Sequence, residues 1–152
     1  MPTAPIPIRP LSPASWADDI RVELPTIDEI ARCWSVIEPI LKRATDRAKA
    51  YEPIDILSLV MMGRMSLLLV REGGRIVAVA VTEVHELPRC RVLDVMFCAG
   101  NGVKRWIEQL LEVIDAQAET AGCSDVMVYG RKGWLKFGFR LDGFILSRQA
   151  GG

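Results

Sequence analysis

Histidine and closely spaced cysteines are nearly missing from this sequence, and their scarcity limits its chemistry. His85 is the one histidine in 152 residues, and the four cysteines lie far apart in the chain (Cys33, Cys90, Cys98 and Cys123). A zinc site or a disulfide framework needs such residues at short, paired spacings. We therefore expect no metal site, and thiols that stay reduced as they do in the cytoplasm.

An excess of one charge and a long apolar run are also missing. The 19 lysines and arginines balance 19 aspartates and glutamates, so no net field attracts the chain to nucleic acid or to an anionic membrane. No window is long and apolar enough to span a bilayer, and the N-terminus lacks the basic and apolar stretches of an export signal. We expect a soluble cytoplasmic protein without nucleic-acid or membrane partners.

The sequence does contain enough apolar residues for one domain. Half of its residues are hydrophobic, which suffices for a single substantial core in a chain of this length. Prolines are frequent in the first 15 residues and favour extended conformations there. We predict an N-terminal arm over residues 1–19 and a single domain over residues 20–152. The arm is either a disordered tail or a contact to a protein partner or a second subunit.

The first half of the domain is predicted to hold one strand followed by helices. Apolar and charged residues alternate over residues 20–24, as in a short strand. Thr26 then precedes Glu29 by three residues, the capping-box spacing that starts a helix. Pro39 either kinks this helix or opens a second one. A further short helix is predicted over residues 52–62.

The second half is predicted to begin with three consecutive strands. Residues 65–70 and 75–84 are rich in β-forming residues, and Gly73 and Gly74 between them suit a hairpin turn. A third strand follows over residues 91–97. The remaining elements are predicted in the order helix, strand, short helix and strand, with the helix over residues 103–121 and the strands over residues 123–129 and 139–146.

One turn in this pattern is suited to a ligand. The stretch CAGNGVKRWIEQLL passes from a strand through Gly100 and Gly102 directly into a helical pattern. The first amides of a helix lack internal partners and carry partial positive charge, and glycines let a phosphate approach them. A turn with two glycines is also common as a plain corner. Both interpretations stay open from the residues alone.

The order of elements and this turn resemble the GNAT acetyltransferase superfamily. In that family the turn reads Gln/Arg-x-x-Gly-x-Gly/Ala, and its amides hold the pyrophosphate of acetyl-CoA. Here the matching stretch is FCAGNG, so both glycines are in place and Phe97 replaces the usual polar or basic residue. The stretch GWLKFGF is similar to the family's Tyr-x-x-x-Gly-Phe ending, with Trp134 in place of the tyrosine. The phrases YEPID and GRKGW further resemble small GNAT-like proteins encoded by tailed phages.

The resemblance implies a fold class and an activity. The fold would be α/β, with a GNAT-like mixed, mostly antiparallel sheet flanked by helices and a strand–glycine turn–helix unit. The activity would be acyl-CoA-dependent N-acyl transfer, in which the amine of a small molecule or a protein attacks the thioester of acetyl-CoA directly. The cofactor-binding residues implied by the match are Phe97, Cys98, Gly100, Asn101, Gly102, Val103 and Lys104.

Acetyl transfer to an amine needs a group that takes the amine proton. Asp94 is the one carboxylate in the strand VLDVMF, where apolar neighbours would raise its pKa. Asp94 is therefore a candidate base, and its alternative is a strand face open to solvent or a pairing with Arg91 or Arg75. Glu83 is the second candidate. It stands with His85 and another glutamate at the end of the hairpin, a group that equally suits a solvated strand end.

The departing thiolate of the cofactor must also be protonated. Trp134 stands where the family has its tyrosine, and an indole N–H is too weak an acid for that step. Tyr129, at the end of a predicted strand, is the nearest phenol and the candidate donor, unless it only packs with its hydroxyl at the surface. Cys98 has no histidine near it in sequence, so we expect a structural thiol.

A catalytically silent protein is the alternative to an enzyme. Phe97 and Trp134 depart from the family at the two places where its chemistry is most recognisable. A GNAT-like fold without activity would serve as a binding or assembly module, and the likeness to phage proteins would make it a structural or host-targeting protein, located in the virion rather than the cytoplasm.

Overall fold

The computed structural model describes residues 19–130, 132–143 and 145–151, so most of the predicted N-terminal arm lies outside the described residues. The elements in chain order are β1 (Ile20–Glu23), α1 (Ile27–Ala48), α2 (Pro53–Met61), β2 (Ser66–Glu72), β3 (Arg75–Glu86), β4 (Arg91–Gly100), α3 (Val103–Thr120), β5 (Asp125–Val128) and a 3₁₀ helix (Lys132–Phe137).

Helix α1 begins where the capping-box spacing predicts it. The Thr26 hydroxyl accepts a hydrogen bond from the backbone N–H of Glu29 at 3.2 Å, which satisfies one of the free donors of the first turn. Pro39 lies inside α1 and does not open a second helix. The helix is capped by Lys49, the residue after Ala48. The backbone of Lys49 is left-handed with φ 61°, and its N–H donates to the carbonyl of Thr45.

The five strands form one sheet in the order β1-β2-β3-β4-β5. Neighbours from β1 to β4 are antiparallel, and β5 pairs with β4 in parallel. The turn between β2 and β3 has Gly73 and Gly74 at φ 58° and 83°, the positive angles that a tight hairpin requires. Because parallel neighbours need a crossover, α3 connects β4 to β5. The sheet is thus mixed and mostly antiparallel, which confirms the predicted fold class.

The helices cover opposite faces of the sheet and divide the core in two. Side chains alternate along each strand, so that Leu68 and Ala80 face α3 while Leu67 and Val81 face α1 and α2. We call these the α3 face and the α1–α2 face. Trp106 of α3 is 1% exposed and packs in the first of the two cores.

The predicted last strand, residues 139–146, is wrong. Residues 139–143 and 145–149 form no strand, and the exposed side chains there include Leu141 and Ile145. Phe139 instead stacks edge-on against Trp134, with ring centroids 5.5 Å apart. An alternating pattern becomes a strand only when it can bury one apolar face, and the exposed Leu141 and Ile145 bury none here.

Candidate active site

A β-bulge interrupts the pairing of β4 with β3. Val81 pairs with Phe97 and Thr82 with Val95, so Met96 is an extra residue on β4. Both Met96 and Phe97 consequently pack on the α1–α2 face, where strict alternation would allow only one of them. A bulge leaves its extra residue out of the ladder and re-aims nearby side chains, and bulges are frequent beside active sites.

The strands β4 and β5 separate just past this bulge. Their parallel pairing runs from Val92 with Asp125 to Val95 with Val128 and stops there. Strand β4 continues to Gly100, whereas β5 ends at Val128. Residues 96–100 of β4 therefore present an edge that no described strand pairs on that side. We call the opening between this edge and the chain that follows β5 the β4–β5 fork.

The glycine turn is shorter than the sequence predicts, because Gly100 belongs to β4. A Cβ atom added to Gly100 would lie 2.3 Å from the Cβ of Ala78 and 2.6 Å from the carbonyl oxygen of Val77, so the glycine permits two strands to approach closely. The prediction that Gly100 is part of the turn is wrong. The corner itself consists of Asn101 and Gly102.

Asn101 is fixed at the corner by three hydrogen bonds. Its N–H donates to the carbonyl of Val77 at 3.0 Å, and its own carbonyl accepts from Nε1 of Trp106 at 2.7 Å. Its side-chain oxygen accepts from Arg43 of α1 at 3.2 Å. The Asn101 amide is thereby engaged within the protein, and its role is to hold the start of α3 against β3 and α1.

The N-terminus of α3 is exposed and positively charged. Gly102 has φ 71°, and the backbone N–H groups of Gly102, Val103 and Lys104 have no hydrogen-bond partner among the residues that the structure covers. The guanidinium of Arg105 lies over Gly102, and its Nε atom contacts the Glu72 carboxylate at 2.9 Å. The first turn contains no acidic residue. Free amides, the helix dipole and the exposed Lys104 together form a site suited to an anion, while the charge of Arg105 is balanced by Glu72.

Three charged or titratable side chains meet on the α1–α2 face at the other side of the bulge. Glu83 of β3 lies directly opposite Asp94 of β4 in the strand register. The ring of His85 lies between them: its Nδ1 is 2.7 Å from Oδ2 of Asp94, and its Nε2 is 3.3 Å from Oε2 of Glu83. We call Glu83, His85 and Asp94 the charged cluster. Neither alternative pairing of Asp94 occurs, since it contacts His85 rather than Arg91 or Arg75.

Asp94 is the most buried member of the charged cluster. The residue is 1% exposed, so the alternative of a strand face open to solvent is wrong. Burial raises the pKa of its carboxyl group, the charge of Glu83 raises it further, and His85 opposes both. The 2.7 Å contact has the length of a strong hydrogen bond, yet neither Asp94 oxygen accepts a well-aligned one from a described residue.

Phe97 and Cys98 have their side chains in the two cores. Phe97 is 6% exposed and packs edge-on against Tyr51, with centroids 5.4 Å apart. Burial raises the pKa of the Cys98 thiol to about 12, although Arg47 opposes the shift. Such a thiol stays protonated near neutral pH, as expected of a structural cysteine.

Tyr129 and Trp134 lie beyond the end of β5. Tyr129 directly follows Val128, the last paired residue, and is 58% exposed at the mouth of the fork. The indole of Trp134 covers Gly130, since a Cβ atom there would be 2.4 Å from Cδ1 of the indole. Trp134 thus closes the loop that carries Tyr129, and Gly130 provides the space for it.

Sequence reasoning named two members of the charged cluster as bases and set His85 aside. A signal was present, because Glu83 and His85 are two residues apart on one strand and so share a face. The contact to Asp94 depends on the register of β3 against β4, which the sequence does not display. The bulge at Met96 also has no signature of its own in the pattern of apolar residues.

Comparison with known proteins finds chains of similar fold but none of similar sequence. No protein-family model matches the chain, and no curated protein matches it by sequence. A ribosomal-protein-alanine N-acetyltransferase from Brucella melitensis matches in structure with a TM-score of 0.67 at 15% identity, over 87% of this chain and 99% of the other. A GNAT family acetyltransferase from Staphylococcus aureus matches with a TM-score of 0.60 at 10% identity, over 86% and 98%.

This chain has the GNAT fold. An aminoglycoside acetyltransferase from an uncultured soil metagenomic sample shares this fold too, with a TM-score of 0.66 at 13% identity, over 87% of this chain and 99% of the other. Within the described part of the GNAT fold, no helix has the length and apolarity needed to cross a membrane. No three of its described histidine, cysteine and acidic side chains are grouped as metal ligands.

Proposed function

We propose that this chain is a GNAT-type N-acyltransferase that transfers an acetyl group from acetyl-CoA to an amine. The observation that carries the proposal is the β4–β5 fork, with a free helix N-terminus at one side and the charged cluster at the other. The reaction needs a site for the phosphates of the cofactor on one side of the thioester and a proton acceptor for the amine on the other. Structural neighbours of this chain are N-acetyltransferases, which supports acyl transfer at the level of the fold.

The cofactor would bind along the edge of β4 and at the start of α3. The pyrophosphate would accept hydrogen bonds from the amides of Gly102, Val103 and Lys104, with the side chains of Lys104 and Arg105 beside it. The two amide groups in the arm of coenzyme A would pair with the open edge at residues 96–100, as an added strand does. In this arrangement the thioester would lie near the bulge, between the fork and the charged cluster.

The acceptor would approach from the α1–α2 face, where the charged cluster lies. Its amine nitrogen attacks the thioester carbonyl carbon, and a group of the cluster takes the proton, with Glu83 and Asp94 as the candidates from the sequence. Tyr129 or a water molecule would protonate the departing thiolate. The named acceptors of two structural neighbours, a ribosomal-protein alanine and an aminoglycoside, suggest that the acceptor is either a protein or a small-molecule amine.

The departure at Phe97 does not weaken this proposal. Its ring packs on Tyr51 in the core of the α1–α2 face, away from the amides of α3. The substitution therefore alters packing and removes no side chain from the proposed phosphate site. A silent assembly module, of phage origin or otherwise, stays an outcome of the test below.

Isothermal titration calorimetry with acetyl-CoA tests the proposal before any acceptor is known. We expect saturable binding, and weaker binding of S-acetylpantetheine, which lacks the pyrophosphate and nucleotide. Release of free thiol from acetyl-CoA with a panel of amines then tests turnover. Absence of binding at millimolar acetyl-CoA would contradict the proposal and favour the binding module.

A further inference from the structure

The contact between His85 and Glu83 joins two hydrogen-bond acceptors when the histidine is neutral with its proton on Nδ1. Nε2 of His85 lies 3.3 Å from Oε2 of Glu83. A carboxylate has no proton to donate, and a neutral imidazole carries its single proton on one nitrogen only. In that tautomer no proton lies between the two acceptors, so the pair can receive an N–H donor. The imidazolium instead carries a proton on Nε2 and donates it to Glu83.

Asp94 determines which nitrogen of His85 is the acceptor. Its Oδ2 lies 2.7 Å from Nδ1, so the neutral ring is stabilised with its proton on Nδ1 and its lone pair on Nε2. Asp94 is almost fully buried and has no direct access to a ligand. A buried carboxylate behind a histidine also stabilises the imidazolium that forms when Nε2 takes a proton.

Exposure increases from the back of the charged cluster to its front. The side chains of Asp94, Glu83 and His85 are 1%, 18% and 38% exposed. Arg91, at the end of β4 beside the charged cluster, contacts Glu86 and donates to the carbonyl of Ala121. Among the described residues, no lysine or arginine forms an ion pair with Glu83, whose partner is His85, so the accessible front of the cluster is anionic while His85 is neutral.

We propose that Glu83 and His85 form a binding site for the protonated amine of the acceptor, in which Nε2 of His85 is the proton acceptor and Asp94 is a positioning residue. This inference rests on the function proposed above. It replaces direct proton transfer to Asp94, which is too buried to touch a substrate. It also names a substrate class, namely alkyl amines that are cationic in neutral solution.

The proposed step conserves atoms and charge. The ammonium group donates to the Glu83 carboxylate and transfers one proton to Nε2 of His85, which leaves a neutral amine. The nitrogen then forms a bond to the thioester carbon, and the carbon–sulfur bond breaks. The second proton lost by nitrogen passes to the thiolate, which leaves as the thiol, and the imidazolium releases its proton to water.

The single histidine of the chain allows a test that does not need activity. Nitrogen-15 chemical shifts of an imidazole distinguish its two neutral tautomers, and here the signals can belong only to His85. We expect the Nδ1–H tautomer in the parent. Asp94→Asn, whose amide can donate to Nδ1, should convert the neutral ring to the Nε2–H tautomer. An Nε2–H tautomer in the parent, or no response to Asp94→Asn, would overturn the proposal.

Two simple cations test the binding site itself. Propylammonium carries N–H donors, whereas tetramethylammonium has the same charge and none. We expect only propylammonium to shift the Nε2 resonance of His85, and Glu83→Gln to abolish that shift, while the Glu86→Gln control retains it. Equal responses to both cations would show a nonspecific charge effect and refute the site. These readouts remain valid if calorimetry shows no acetyl-CoA binding, so the two proposals fail separately.

Measurements of turnover separate the role of His85 from that of Glu83. His85→Gln should lower kcat by about 10²- to 10⁴-fold, the usual contribution of a general base. Glu83→Gln should raise KM about tenfold or more for an alkyl amine, the effect of losing a hydrogen bond to a charged group, and much less for an aryl amine that arrives neutral. Unchanged kcat in His85→Gln, or equal effects of Glu83→Gln on both amines, would contradict the assignment.

Discussion

Thr82 of β3 donates a hydrogen bond to the side-chain oxygen of Gln117 of α3 at 2.9 Å, inside the core of the α3 face. Both residues are almost completely buried, and Nε2 of Gln117 has no partner among the described residues. This contact thus joins the sheet to α3 inside the buried core, whereas the contact of Arg105 with Glu72 lies at the surface. Removing one partner leaves the other buried without a hydrogen bond and lowers stability, whereas removing both leaves no unpaired group.

Thr82→Val should lower the free energy of unfolding by about 1–3 kcal/mol, because it leaves the buried amide of Gln117 without any partner. Thr82→Val combined with Gln117→Leu should recover most of that loss, since both polar groups are then gone. Urea denaturation of the two single variants and the double variant measures the coupling. Additive losses would show that the two side chains do not act as a pair.

Gly100→Ala should destabilise the fold by roughly 1–3 kcal/mol or more, because its methyl group would overlap the backbone and side chain of Ala78 and force β3 and β4 apart. Gly133→Ala is the matched control, since no atom lies within 4 Å of its added Cβ. We expect that control to be neutral or slightly stabilising. Thermal unfolding of both variants measures the difference, and equal melting temperatures would refute the close approach.

Lys104→Glu should weaken acetyl-CoA binding roughly tenfold to a hundredfold, the range for losing a hydrogen bond to a charged group, and the reversed charge adds repulsion. An acidic residue in the first helical turn is favourable to the helix dipole, so the fold should be as stable as before. Arg89→Glu makes the same change of net charge in the exposed turn between β3 and β4. Calorimetry should show a loss for Lys104→Glu alone. Equal losses in both variants would indicate a general charge effect.

Asp94→Asn should stabilise the protein at neutral pH relative to the parent. Burial of Asp94 raises its pKa above the unfolded value, so the folded state binds a proton more tightly and loses stability as pH rises from the unfolded pKa through the folded one. The variant has no such loss. Urea denaturation from pH 3 to pH 8 gives the free energy of unfolding as a function of pH. The values for the parent and the variant should coincide in acid and separate at higher pH. A parent that gains stability over this interval relative to the variant would contradict the sign.

Local signals in the sequence predicted the elements well, and signals that depend on distant partners did not. The Thr26 cap and the Gly73–Gly74 turn act within a few residues, and the structure has both. The strand predicted over residues 139–146 needed a free edge and a face to bury, and its apolar pattern carries no information about either. Gly100 matched the family motif, yet its conformation follows from contact with Ala78 on another strand.

The candidate site depends even more strongly on tertiary register. Asp94 and Glu83 could be selected from residue type and strand position. The pKa of Asp94 is raised mainly by burial and further by Glu83, and both depend on how the strands pack and pair. His85 becomes a candidate only after its ring is found between the two carboxylates. The β4–β5 fork has no sequence signature, because it arises where a short strand ends beside a longer one.

The order of the elements also affects how the chain emerges during synthesis. Strands β1 to β4 and the helices α1 and α2 all precede α3, so the α1–α2 face can be covered while the α3 face is still without its helix. Leu68, Ala80 and Val95 on that face would meet water until about residue 120 has left the ribosome. A chain released after Gly100 should therefore bind chaperones or precipitate during cell-free translation, whereas one released after Val128 should remain in solution. The nascent protein would thus be most prone to aggregation while α3 is being translated.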